Sequence, residues 1–331
     1  MYAARFTFAD GFVTTVEVAE HQTVLEAAMA ADAPVRYDCA SGECGACVAH
    51  LAEGQAACLR DGPTPLSEAE MAAGLRATCR TRLASDAVFH LPYALEPRPS
   101  DPGRHNAEVL GVARLSDTVF RLRLSRPEGF AFQAGQYVRL RPPGRTEARA
   151  YSIASHPADE SGLEFLIRHV PGGLASEWVA GEAKAGDRVK LQGPLGSFAR
   201  DDRASRQVFV VGGTGLAPAL SMLRQLAPGA GEALVCFGVT TPGDAFHQDE
   251  LRALSAAHGA MEVRFAVAQG QPRHGEQAGT AVSLLSPDDV TPATAFHLCG
   301  PPPMVEAARA ALVNWGAPLA AIRAERYLPT R

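Results

Sequence analysis

Four cysteines stand at a spacing that can hold a metal cluster. Cys39, Cys44 and Cys47 lie in the stretch CASGECGACVAH, and Cys79 follows in RATCRTRL. Four residues separate the first pair, two the second, and thirty-one precede Cys79. A disulfide knot, a zinc site and an iron–sulfur cluster all use cysteines this densely. The N-terminal stretch lacks an apolar signal core, so a cytoplasmic location with reduced thiols is expected, which counts against disulfides. Zinc sites usually pair two C-x2–4-C elements across a finger. Here there is one such pair, and no histidine lies at ligand spacing. C-x4-C-x2-C…C is the spacing of a plant-type [2Fe–2S] site. Gly42 and Gly45 let the loop approach a cluster closely and aim backbone amides at sulfur. Cys58 falls outside the pattern and reads as a bystander thiol, and Cys236 lies in an apolar strand, as packing.

A second group starts at Arg149 in RAYSIAS. Arginine offers a bidentate donor to phosphate. Tyr151, two residues on, shares its strand face and can stack on a flavin ring, while Ser152 points to the opposite side or towards a flavin edge. Alone, Arg-x-Tyr-Ser is an ordinary barrel strand. It is followed by RHVPGGLASEW, where Gly172 and Gly173 open a helix expected at Ser176, and helix N-termini bind anions. GPLGSF, from Gly193 to Phe198, closes this region.

A third group is VVGGTGLAP, with Gly212, Gly213, Thr214 and Gly215 between a strand and a helix. Glycines there let the backbone approach a pyrophosphate, and Pro218 suits a first helical turn. Cys299 and Gly300 open CGPPPM at another strand end, where a buried packing cysteine is the plain alternative. FGVTTPGDAF carries no base for a 2′-phosphate, which favours NADH; Asp244 there is a candidate ribose ligand.

These residues need elements to position them. Residues 1–95 read as a hairpin about Asp10-Gly11, a helix capped near Thr23, and further strands. Pro92 to His105 is Pro-rich, so a linker is expected over 96–104. Residues 105–203 hold short strands with Gly/Pro turns, the pattern of an antiparallel barrel. Residues 204–331 alternate strand and helix, which implies a doubly wound parallel sheet. The expected class is therefore multidomain, α+β followed by α/β.

Charge is unevenly placed. Residues 1–95 carry twelve acids, six arginines and no lysine, whereas the other 236 carry 24 acids and 25 bases. Such an acidic module does not bind nucleic acid through its phosphates and suits a basic protein surface, with Asp38 and Glu43 on the candidate docking face. A merely solvated face is the alternative. No run reaches the ~18 apolar residues of a membrane span.

YDCASGECGACVAHLAEG with RATCRTRLASDAVF resembles the ferredoxin domain of benzoate and anthranilate 1,2-dioxygenase reductases. Arg-x-Tyr-Ser, Gly-Gly-x-x-Ser and Gly-Pro-x-Gly-Ser-Phe, in this order, resemble the flavin domain of the ferredoxin–NADP reductase superfamily. Gly-Gly-x-Gly-x-x-Pro and CGPPPM resemble its nucleotide domain. The resemblance covers nearly the whole chain. It implies a β-grasp-like [2Fe–2S] domain ligated by Cys39, Cys44, Cys47 and Cys79, an FAD-binding barrel and an NAD-binding domain. It assigns Arg149, Ser176 and the Gly173 backbone to the flavin pyrophosphate, Tyr151 to the isoalloxazine face and Ser152 to its edge. It also sets Gly213, Thr214 and Gly215 at the NAD pyrophosphate, Cys299 and Gly300 beside the nicotinamide, and Tyr327 over the flavin's other face. Cys299, Tyr151 and Ser152 are then the catalytic candidates. The implied activity is NADH-driven reduction of FAD, then of the cluster, then of a Rieske-type oxygenase, by a monomer without nucleic-acid or membrane partners. A di-iron monooxygenase as acceptor, or a non-catalytic electron carrier, are the alternatives.

Overall fold

The computed structural model describes the chain apart from residues 38, 39, 41, 43, 44, 60, 62, 63, 65, 67, 94, 96–102 and 328–331. The chain forms two compact units, Met1–Asp101 and Pro102–Arg331. Most of the expected linker, and the docking candidates Asp38 and Glu43, lie outside the described residues. Arg104, placed in that linker, opens a strand instead.

The first unit begins with strands Tyr2–Thr7 and Val13–Val18, paired antiparallel from Tyr2–Val18 to Thr7–Val13. Alternation sets their faces: Ala4, Phe6, Val16 and Val18 are buried, Arg5 and Glu17 exposed. Helix Val24–Ala30 starts where its chemistry requires. Thr23 Oγ1 accepts from the Glu26 N–H, and the Glu26 carboxylate accepts from the Thr23 N–H, a capping box. The helix buries Val24, Leu25, Ala27 and Ala28 in one core with Phe6 and Phe89. The sheet order is Val13–Val18, Tyr2–Thr7, Ala87–His90, Val48–Glu53, Leu75–Ala77, with a parallel pair between Tyr2–Thr7 and Ala87–His90. This is the expected β-grasp-like arrangement. A second ladder, Ala56–Cys58 with Thr81–Leu83, is too short to show periodicity.

The second unit contains a six-stranded antiparallel sheet. Its order is Arg149–Ser152, Tyr137–Arg141, Arg188–Leu195, Arg104–Arg114, Val119–Leu124, Leu163–Arg168. A bridge between Ile153 and Phe165 brings the two edges together and nearly closes a barrel. Helix Leu174–Gly181 seals it with Trp178 and Val179.

The other half of this unit is a parallel sheet. Its order is Gln277–Ala278, Met261–Val267, Glu232–Val239, Arg206–Gly212, Thr294–Gly300, Ile322–Arg326. All seven residues of Thr294–Gly300 are buried, as a central parallel strand covered on both faces requires. Strand order reverses between Arg206–Gly212 and Thr294–Gly300. The crevice beyond their C-terminal ends is where doubly wound sheets take ligands. Barrel residues Val119, Ala134, Ala154 and Phe198 share a core with Leu216, Leu220 and Met222 of helix Leu216–Leu223. Among the described residues, no helix is long and apolar enough to cross a membrane.

Replacing Thr23 by Ala removes half of the capping box and is expected to destabilise the first unit by about 1 kcal/mol. A lower urea midpoint with an unchanged slope, followed through a signal of that unit, checks it.

Candidate active site and cofactor sites

Cys47 and Cys79 are buried, and their Sγ atoms lie 3.2 Å apart. That exceeds the ~2.05 Å of a disulfide, so the two sulfurs converge without bonding. The Cys47 carbonyl fixes the pair by accepting from both the Thr78 N–H (3.1 Å) and hydroxyl (3.0 Å). Ala40, Gly42 and Gly45 have φ of 53°, 90° and 82°, the left-handed region that glycine adopts freely. Paired buried thiol donors fit a thiolate-ligated cluster. Cys39 and Cys44 lie outside the described residues.

Arg149, Tyr151 and Ser152 sit on one barrel strand, opposite Leu140, Val138 and Tyr137. The Arg149 guanidinium lies 2.7 Å from the Glu147 carboxylate. Burial, opposed by Arg149, pushes the Tyr151 phenol up to about 12, so it stays neutral. Helix Leu174–Gly181 begins two residues earlier than expected, capped by Gly173 without a side-chain bond, so its first amides are offered outward. A Cβ at Gly173 would lie 2.7 Å from Ser176 Oγ. The Ser176 hydroxyl is buried and takes the Val170 N–H at 3.1 Å, with the carbonyls of Val170 and Gly173 as its own acceptors. It props the loop whose backbone faces the site. A guanidinium and an uncapped helix start suit a pyrophosphate, and Tyr151 and Ser152 supply a ring face and a polar edge for a flavin.

Gly213 to Gly215 make one tight turn between strand Arg206–Gly212 and helix Leu216–Leu223. Gly213 has φ of 53°. A Cβ at Gly215 would collide with the Cys299 carbonyl, so only glycine lets this turn pack against the end of strand Thr294–Gly300. Met304 Sδ lies 2.7 Å from where a Gly212 Cβ would stand, closing the turn's other side. This backbone cradle fits a dinucleotide pyrophosphate.

The two halves meet at a polar cluster. The Tyr327 hydroxyl donates to Ser152 Oγ at 2.6 Å, and the Ser152 hydroxyl donates to the Glu325 carboxylate at 3.1 Å. Tyr327 also hydrogen-bonds the Cys299 side chain, and its N–H donates to the Gly300 carbonyl at 2.9 Å. Register places Glu325 directly beside Cys299. Burial, then the Glu325 charge, raises the Cys299 thiol well above its ordinary range, and burial does the same for the Tyr327 phenol. Both stay protonated at neutral pH. Of the expected residues, Ser152, Cys299, Gly300 and Tyr327 converge here. Glu325 had no expected role; its place in the site comes from strand Ile322–Arg326 pairing alongside Thr294–Gly300.

Asp244 is not poised for a ribose. One oxygen accepts from Thr118 at 2.6 Å, and the other from the N–H and hydroxyl of Thr241, capping its own turn. Nearby, Arg224 binds Glu250 at 2.6 Å and Glu164 at 3.4 Å, and His247 Nδ1 lies 2.7 Å from Glu250.

Three family models match the chain. They are a 2Fe-2S iron-sulfur cluster binding domain over residues 8–84, an oxidoreductase FAD-binding domain over 112–199 and an oxidoreductase NAD-binding domain over 209–310. Fold and site thus define an iron–sulfur flavoprotein oxidoreductase. The toluate 1,2-dioxygenase electron transfer component of Pseudomonas putida is 34% identical over 306 residues, 91% of this chain and 90% of that one. Methane monooxygenase component C of Methylosinus trichosporium is 40% identical over 218 residues, 62% and 64% of the two chains. The crystal structure of an Amycolatopsis cytochrome P450 reductase matches with a TM-score of 0.70 and 29% identity over 99% of both chains. The chain belongs to the family of reductase, or electron transfer, components of oxygenase systems. When bound, FAD accepts hydride from the nicotinamide nucleotide and passes electrons singly to the [2Fe–2S] cluster.

Burial pushes the Glu250 carboxyl up, but His247 and Arg224 outweigh it and hold the group at about 2. A depressed carboxylate adds stability above its unfolded pKa and loses it as pH falls through the folded one. Wild type is expected to exceed Glu250→Gln in thermal stability most above pH ~5, with the gap shrinking towards pH ~2. Melting curves across that range check it.

Proposed function

We propose that this reductase uses NADH in preference to NADPH and delivers electrons to a Rieske-type aromatic ring-hydroxylating dioxygenase of the benzoate/anthranilate kind. The observation that carries the redox reading is the convergence of Ser152, Cys299, Glu325 and Tyr327 where barrel and parallel sheet meet. Ser152 presents a hydroxyl, with its acceptor Glu325 already in place, to the flavin edge. Cys299 and Gly300 border the nicotinamide position, and the neutral thiol supplies contact without charge. Tyr151 and Tyr327 bracket the ring system. Arg149 and the Gly173 backbone hold the flavin pyrophosphate, and Gly213, Thr214 and Gly215 that of the dinucleotide. Cys39, Cys44, Cys47 and Cys79 ligate the cluster.

The preference for NADH rests on charge. The loop from Thr240 to Asp244 holds no lysine or arginine. The cavity of about 430 Å³ beyond it is lined by Asp249 and Glu250 as well as by His247 and Arg273. Support for the partner comes from the toluate dioxygenase relative, which spans most of this chain. The acidic first unit suits a basic docking face. A second reading, a di-iron monooxygenase as acceptor, is favoured by the methane monooxygenase relative, whose identity is higher over a shorter span. A cytoplasmic monomer is proposed with either.

NADH is expected to bleach the flavin at least tenfold more efficiently than NADPH, ~1.4 kcal/mol in transition-state terms. Equal use in stopped-flow assays would overturn the preference. No bleaching by either nucleotide would favour a non-catalytic carrier. Cys79→Ser is expected to keep NADH-to-ferricyanide activity and lose transfer to cytochrome c. Loss of both activities would make the cluster structural. Reconstitution with a Rieske dioxygenase and with a di-iron hydroxylase separates the two acceptors.

A further inference from the structure

We propose that Arg224 is a positioning residue for hydride transfer, holding the flavin strand at a fixed distance from the dinucleotide turn. The inference rests on the reading that hydride passes from NADH to the flavin. Helix Leu216–Leu223 starts directly after the Gly213–Gly215 turn, and all eight of its residues are buried. Arg224 is its C-cap. The helix is thus a strut about 12 Å long, with the pyrophosphate cradle at one end and Arg224 at the other.

That far end is bolted to the barrel. Arg224 Nη1 donates to the Ala154 carbonyl at 2.8 Å, two residues beyond Ser152. The Ser221 hydroxyl donates to the Ser155 carbonyl at 2.6 Å. The remaining guanidinium donors reach Glu250 from Nε at 2.8 Å and Glu164, on a barrel strand, from Nη2 at 3.4 Å. Glu250 is held in turn by His247. The Arg224 side chain is only 19% exposed, so these bonds are little screened by water. A planar fork with several fixed donors meets three acceptors in different directions; a lysine ammonium cannot hold all three at these angles. Hydride transfer demands reacting atoms roughly 3–3.5 Å apart, and an error of about 1 Å costs on the order of a hundredfold. Because the strut's far end is bonded to the chain two residues beyond Ser152, a loosened bolt lets flavin edge and nicotinamide drift while each keeps its own binding contacts.

The test uses purified holoprotein and single-turnover bleaching of the flavin by NADH. Arg224→Gln is expected to lower the limiting rate at least tenfold, with FAD content and cluster absorbance at wild-type values and the NADH Kd within threefold. Arg224→Lys is expected to recover part of the loss. A limiting rate within twofold of wild type in Arg224→Gln would overturn the proposal, as would a rise in Kd that accounts for the whole defect. Should that variant lose its flavin, Ser221→Ala removes one bolt alone. It is expected to lower the limiting rate and change the isotope effect with NADH deuterated at C4, and no change in either overturns the proposal. Wild type that NADH fails to bleach would instead sink the hydride reading itself.

Discussion

The contact between the Gly215 backbone and the Cys299 carbonyl governs the architecture of the second unit. The turn after strand Arg206–Gly212 packs there on the end of strand Thr294–Gly300, and only the absence of a side chain at residue 215 lets it do so. From this contact the helix Leu216–Leu223 runs one way towards the barrel, and the chain after Cys299 runs the other way into Gly300 and Met304. Strand Ile322–Arg326 then pairs alongside Cys299, which brings Glu325 and Tyr327 to the same place. Nucleotide turn, thiol, carboxylate and phenol are therefore consequences of one close packing.

The cluster of Ser152, Cys299, Glu325 and Tyr327 is polar and linked by hydrogen bonds. Burial keeps both Cys299 and Tyr327 protonated. A Glu325 oxygen is satisfied by Ser152, and Ser152 by Tyr327. A chain of donors ordered in one direction has a defined orientation and resists rearrangement.

Much of this was legible in the sequence, for physical reasons that differ by region. The capped helix at Thr23 and the buried strands of the parallel sheet announce themselves because caps and apolar runs are local. The glycine turn was legible because close backbone approach leaves few residue choices. Ladders of two or three residues, such as Ala56–Cys58, have no period to read. Ile322–Arg326 was missed because IRAER looks like a solvated segment; pairing with Thr294–Gly300 makes it a strand. Glu325 and Arg224 gain their meaning from partners 173 and 70 residues away, Ser152 and Ala154. Asp244 misled for the opposite reason, since a loop aspartate after the second strand looks available until its turn is seen to use both oxygens.

The Arg149–Glu147 pair carries a further consequence. The Arg149 guanidinium faces a carboxylate at 2.7 Å. With Arg149 in its proposed role at the flavin pyrophosphate, loading would exchange one anion for another at this point. In that role Glu147 would be a tethered counter-ion that the arriving phosphate has to displace.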